Sequence, residues 1–323
     1  MNSPDSAGVI LHSGARAFLE ASAWSPAVCE PLAGDASNRK YFRLRRDRKT
    51  AILMDASQFQ ETLAAFIRLD EHLGRLGFSV PAILARDDAR GLLLLEDFGD
   101  DSFARLLEEP GGAEKFQALA TDVLIALHKH PGAIPKGLRA YHPEKMLEDV
   151  ELFLEGRTIS AAGRAEFQAV WREILPLAHR VPASLLLRDY HVANLMWLPD
   201  REGIRQAGLL DFQDAYQGPV TYDLVSLLED ARRDVPDGLK EEMMVRYRAQ
   251  FPTLDRGAFE TSVAILAALR HTRVLAVFER LGRNEGRHDY RKLHSPRVER
   301  LLQRALRHPS LAGVKQWMER HAR

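Results

Sequence analysis

Apolar positions along this chain repeat with two periods, and the change between them falls near residue 100. After a short helix over Gly14 to Ser22, residues 28–55 read as strand, glycine-containing turn and strand, then a charged hairpin at Asp47–Lys49 and a third strand from Thr50 to Asp55. Leu63, Phe66, Ile67 and Leu73 recur at helical spacing, which predicts a helix ended by Gly74 or Gly77. SVPAILARDDARGLLLLEDFGDD then gives two more strands about an Asp-Asp-Ala-Arg-Gly turn. From Asp101 onward helical segments dominate, interrupted by strands only over 184–212. Ser295 and Pro296 read as the cap and first turn of RVERLLQRAL. The pattern therefore predicts an α+β chain: a small antiparallel-sheet lobe (1–95), a hinge (96–100) and a larger, mostly helical lobe (101–323).

Composition narrows the function classes. Lys+Arg and Asp+Glu both number 45, so the net charge is zero. That balance disfavours a nucleic-acid binder or a membrane-surface protein. The apolar stretch SVAILAALRHTRVLAVF carries Arg270, His271 and Arg273 at its middle, which predicts a core helix rather than a membrane span. A single cysteine, Cys29, and a poor signal-peptide pattern at the N-terminus predict a cytoplasmic protein, and no protein partner is evident.

The candidate chemistry lies in 184–223. LLLRDYHVANLMW places Asp189 and Asn194 at the two ends of a short polar loop between strand-like runs. A hairpin about Asp200–Gly203 returns the chain through RQAGLLDF, which brings Asp211 back beside Asn194. Such a cluster offers a carboxamide and a carboxylate as hard oxygen donors suited to Mg²⁺, plus a second carboxylate able to accept a proton. That is the division of labour in kinase-type phosphoryl transfer. Asp and Asn in loops also simply make turns; it is the order of the elements, after a sheet lobe and a hinge, that carries the reading.

LRDYHVAN, LLDFQ and TYDLVSLL resemble the aminoglycoside phosphotransferase family of small-molecule kinases, relatives of the protein-kinase fold. More narrowly, GDASNRKYFR, LLLLEDFGDD, LLDFQDAYQGPVTYDLVSLLEDARRD and HTRVLAVFERL look like the anomeric N-acetylmuramate/N-acetylglucosamine kinases of peptidoglycan recycling. The resemblance implies transfer of the ATP γ-phosphate to the 1-hydroxyl of an N-acetylated amino sugar, with ATP and Mg²⁺ as cofactors. It makes Asp189 the base, Asn194 and Asp211 the metal ligands, and Asp223 the residue that hydrogen-bonds the catalytic loop. It puts adenine against the hinge at Glu96, Asp97 and Phe98.

Two departures follow from the same alignment of motifs. Leu187 stands where the family usually has a histidine, and Met54 occupies the strand position of the phosphate-contacting lysine. Arg39, Lys40 and Arg43 are the candidate replacements; Arg39 and Arg43 share a strand face with Tyr41. Gly34, Ser37 and Asn38 are candidates to cover the phosphates with backbone N–H groups. For the acceptor, His191, Gln213, Asp214 and Tyr216 flank the carboxylates, and Glu229, Arg233, Arg270 and Arg273 lie on the following helices. Arg270 and Arg273 read equally as core ion pairs or as sugar and carboxylate contacts. Kinases of the same fold acting on an aminoglycoside, choline or homoserine stay open, as does a nucleotide-binding scaffold suggested by Met54.

Overall fold

The computed structural model describes residues 11–32, 39–284 and 288–322. In chain order the elements are α1 (Ser13–Ala21), β1 (Val28–Leu32), β2 (Lys40–Arg46), β3 (Lys49–Asp55), α2 (Gln60–Arg75), β4 (Ile83–Asp87) and β5 (Leu92–Glu96). The short α3 (Phe103–Leu106) follows, then α4 (Gly112–Lys129), α5 (Pro143–Glu151), α6 (Ala161–Ile174), β6 (Ala183–Leu186), β7 (Leu195–Trp197), β8 (Ala207–Leu209) and β9 (Tyr216–Pro219). The chain closes with α7 (Thr221–Leu228), α8 (Asp237–Ala249), α9 (Arg256–Asn284), α10 (His288–Ala305) and α11 (Ala312–His321).

Two compact units divide the chain: residues 1–103 with 194–214, and 104–193 with 215–323. The β1–β5 sheet lies in the first unit, and the β7–β8 hairpin groups with it rather than with the helices. Backbone bonding explains it: Leu209 N–H donates to the Ser79 carbonyl at 2.8 Å and Trp197 N–H to the Asp101 carbonyl at 2.7 Å.

In the first unit β1-β2-β3-β5-β4 form one antiparallel sheet. Strand alternation sorts its faces. Phe42, Leu44, Ala51, Leu53, Leu92 and Leu94 pack under Ala15, Phe18 and Leu19 of α1. The opposite face carries Tyr41, Arg43, Ile52, Met54, Leu93 and Leu95 in cross-strand register. Of the two glycines proposed to end α2, Gly77 does so. Its φ is +88°, and Phe78 N–H returns to the Leu73 carbonyl while Gly77 N–H meets that of Gly74.

The second unit is helical around the long α9, whose Ile265, Leu266, Ala268 and Leu269 share a core with Trp171, Tyr222 and Trp317. Two details differ from the sequence expectation. β9, at Tyr216–Pro219, pairs with β6 although the sequence predicts strands only over 184–212; its glycine and proline disfavour a strand locally. And α10 runs from His288 through Pro296, so Ser295 does not cap its start. An interior proline costs about 3 kcal/mol, and burial of Val298, Leu302 and Leu306 beside Phe278 and Leu281 offsets it.

Candidate active site

In the first unit the inner sheet face, residues 96–100 and the β7–β8 hairpin enclose a cavity of about 430 Å³. Leu32, Ile52, Leu95, Met196 and Leu210 supply apolar walls, and Glu96, Asp97, Phe98, Asn194 and Asp211 line the same space. The structure thus brings the proposed hinge contacts and both proposed metal ligands into one cavity. The hairpin does the positioning: Leu210 N–H donates to the Asn194 carbonyl at 3.0 Å, which fixes the two ends beside each other. Asp211 has φ +59°, a left-handed conformation that aspartate tolerates better than most residues. Gln213 Nε2 donates to Asp211 Oδ1 at 2.7 Å, so Gln213 steadies the carboxylate. Phe212, the next residue, is buried and stacks on Phe66 of α2 with ring centroids 5.2 Å apart.

The cations sort differently than strand alternation alone suggested. Arg43 lines the cavity, but its Nε lies 2.8 Å from Asp97 Oδ2 and its Nη1 2.7 Å from Asp100 Oδ1. Burial opposes its charge, and the two carboxylates more than compensate, so its pKa moves up. Arg43 is therefore a strand-to-hinge clamp whose charge is already matched. Arg39 is buried beside Tyr41. Burial raises the Tyr41 phenol, the Arg39 side chain pulls it back, and Asp211 is near enough to raise it again. Met54 is fully buried opposite Tyr41. Gly34, Ser37 and Asn38 lie outside the described residues.

The hinge side chains have internal partners. Glu96 accepts from Arg201 Nη2 at 2.5 Å and from Ala82 N–H at 3.2 Å. Phe98 carries the Arg201 guanidinium 5.2 Å from its ring centroid and sits so close to Gly208 that a Cβ there would meet its ring at 2.7 Å. Behind them, Asp70 on α2 is buried, and its Oδ2 has no hydrogen-bond partner among the described residues. Burial, then Glu71 and Glu96, raise its carboxyl to about 7. A carboxyl with a raised folded-state pKa contributes stability at acid pH that is lost as pH rises through that value. Asp70→Asn should therefore melt above wild type near pH 8, and thermal scans should show the difference vanish as pH falls towards 4.

Asp189 belongs to the second unit, where the loop after β6 is held from beneath. Asp223, buried at the start of α7, accepts Leu187 N–H at 2.5 Å and Arg188 N–H at 2.9 Å. Burial pushes its carboxyl up to about 7 while those two N–H groups pull it down. Tyr190 anchors the far side of Asp189 by donating to the Ala120 carbonyl at 2.8 Å. His191 is buried, which lowers it to about 4 and keeps it neutral.

The remaining acceptor candidates divide. Glu229 is buried, contacts Lys240 and receives His271 Nε2 at 2.6 Å; burial raises it, and those partners bring it to about 2. Arg270 is buried, and its Nη1 donates to the Glu229 backbone carbonyl at 3.3 Å. Tyr216 is buried with the Arg139 guanidinium 4.0 Å from its ring centroid. Arg233 pairs with Glu108 at 3.5 Å, and Arg273 lies 3.6 Å from Asp149 with a fifth of its side chain exposed. Asp214 is half-buried.

Sequence reasoning missed Phe66, Met196 and Leu210 as cavity walls, because apolar residues at core spacing carry no mark of a ligand. It also missed Asp149, which had a signal: a carboxylate among Met146, Val150 and Phe153 on one helical face.

Residues 28–260 match the phosphotransferase enzyme family. An N-acetylmuramate/N-acetylglucosamine kinase of Caulobacter vibrioides is 34% identical over 94% of this chain and 95% of its own. The protein of that name from Pseudomonas aeruginosa is 32% identical over 90% and 87%. Among solved structures, a choline/ethanolamine kinase family protein from Mesorhizobium loti aligns with a TM-score of 0.64 at 19% identity, covering 94% of this chain and 97% of its own. The ADP-bound aminoglycoside phosphotransferase APH(2'')-Ib aligns at 0.61 and 14% identity, covering 91% and 97%. These likenesses establish an α+β kinase-like fold. By the span of the family match and the identity to full-length relatives, this chain is a member of the phosphotransferase enzyme family.

Proposed function

We propose that the protein is a cytoplasmic kinase that transfers the γ-phosphate of ATP to the anomeric hydroxyl of N-acetylmuramate or N-acetylglucosamine in cell-wall recycling. The observation that carries the reading is the pair of relatives named for both sugars, each above 30% identity and aligned over nearly the whole chain. The cavity supports the nucleotide half: its apolar walls suit a purine, and the backbone of Glu96, Asp97 and Phe98 suits the ring edge.

Asn194 and Asp211 fit Mg²⁺, because one carboxylate and one amide oxygen on a common cavity are the hard, incomplete donor set that the ion completes with phosphates and water. Bound there, Mg²⁺ would neutralise phosphate charge. Asp189 accepts the proton of the sugar 1-hydroxyl as its oxygen bonds to the γ-phosphorus; the bond to the β-phosphate oxygen breaks, and ADP leaves. Asp223 supports the loop. Arg39 supplies the positive charge that a strand lysine gives in related kinases. On the acceptor side, Asp214, Arg233 and Arg273 retain exposed side-chain surface, and an arginine matches the lactyl carboxylate of a muramyl sugar.

The test is an acceptor panel. With ATP and Mg²⁺, N-acetylmuramate and N-acetylglucosamine should each turn over, while kanamycin and choline should not. Turnover of kanamycin or choline alone would make it a different small-alcohol kinase, and ATP binding without any acceptor turnover would make it a scaffold.

A further inference from the structure

Arg188 sits directly before the proposed base and has φ +73°, a backbone region that residues with a Cβ seldom enter. Such a conformation persists only where the surroundings over-determine it. Here they do. Its N–H is held by Asp223, its Nη2 donates to Asp149 Oδ2 at 2.9 Å, and its guanidinium lies 5.4 Å from the Tyr216 ring centroid.

Asp149 is the hub of this arrangement. It is buried on α5, accepts the Tyr141 hydroxyl at 2.8 Å, and lies 3.1 Å from Lys145 Nζ and 3.6 Å from Arg273 Nε. Burial pushes its carboxyl up; Arg188, Arg273, Tyr141 and Lys145 together bring it below the ordinary range, so it is ionised. One negative charge therefore ties α5, α9 and the loop of Asp189 together. The transfer step proposed above makes no use of it.

We propose that Asp149 is a positioning residue: by fixing the Arg188 guanidinium it holds the left-handed backbone at 188, and that backbone sets where the Asp189 carboxylate is presented. The inference rests on Asp189 being the base. A merely structural ion pair would lower stability when broken and leave the chemical step alone.

Arg188→Gly separates the two. Glycine adopts φ +73° without a Cβ clash, so the variant folds, but the side-chain tether to Asp149 is gone and Asp223 alone holds the backbone at 188. A misplacement of about 1 Å can cost on the order of 10²-fold in rate. We expect kcat on N-acetylglucosamine to fall about 10- to 100-fold, with KM for ATP close to wild type. Asp149→Asn should give a similar fall, and the double variant should be little worse than either single one, because both remove the same tether. Arg188→Gly with wild-type kcat overturns the proposal, and so do losses that multiply in the double variant. Should Asp149→Asn fail to fold, Arg188→Gly alone decides. Wild-type protein that phosphorylates neither sugar overturns the reading of Asp189 and this inference together, whereas wild-type turnover with an unimpaired Arg188→Gly overturns this inference alone.

Discussion

Asp189→Asn is expected to lower kcat on either amino sugar by about 10²- to 10⁴-fold, the usual worth of a positioned general base. Asparagine keeps the size of the side chain and removes only its capacity to take a proton. The loop around it should survive, because Asp223 binds the backbone N–H groups of Leu187 and Arg188 rather than the side chain at 189. Tyr190 stays tied to the Ala120 carbonyl for the same reason. KM for ATP should therefore change little, since the cavity walls and the hinge are untouched. Steady-state kinetics at saturating ATP check this, and a wild-type rate would remove Asp189 from the chemistry.

Arg39→Met carries the second large effect: kcat should fall about 10²- to 10³-fold, comparable to losing one donor that stabilises transition-state charge. Phosphoryl transfer depends on such charges because it leaves the protein little covalent chemistry to perform. Met54 cannot contribute one, being apolar and fully buried. Arg43 is committed to Asp97 and Asp100. Arg39 is buried next to Tyr41, at the end of the sheet face where Asp211 is also felt. Arg43→Met should instead loosen the hinge, raising KM for ATP and lowering Tm more than it lowers kcat. The opposite pattern, with Arg43 controlling kcat and Arg39 silent, would reverse the two roles.

That Arg43 is held by Asp97 and Asp100 could not be read from the chain. Alternation placed 39, 41 and 43 on one face; the observed register covers Tyr41 and Arg43, which face Met54 and Ile52. The carboxylates that neutralise Arg43 lie more than fifty residues away and are brought to it only by the pairing of β2, β3 and β5. Local information served where local physics decides: the amphipathic repeat of α2, the hairpin at 47–49, and the loop-and-hairpin order of Asp189, Asn194 and Asp211. It failed where tertiary contacts override propensity. β9 contains glycine and proline yet pairs with β6, and α10 continues through Pro296 because its apolar residues are buried against α9. Arg270 and Arg273 stay open in the sequence for a related reason. A buried charge announces that it has a partner, but the sequence does not say whether that partner is another side chain or a ligand.

The most direct measurement is the position of the transferred phosphate. Product made from ATP, Mg²⁺ and N-acetylglucosamine should show, in a phosphorus–proton correlation spectrum, the phosphorus coupled to H1 of the sugar. Coupling to the C6 protons, or no sugar phosphate at all, would contradict the account.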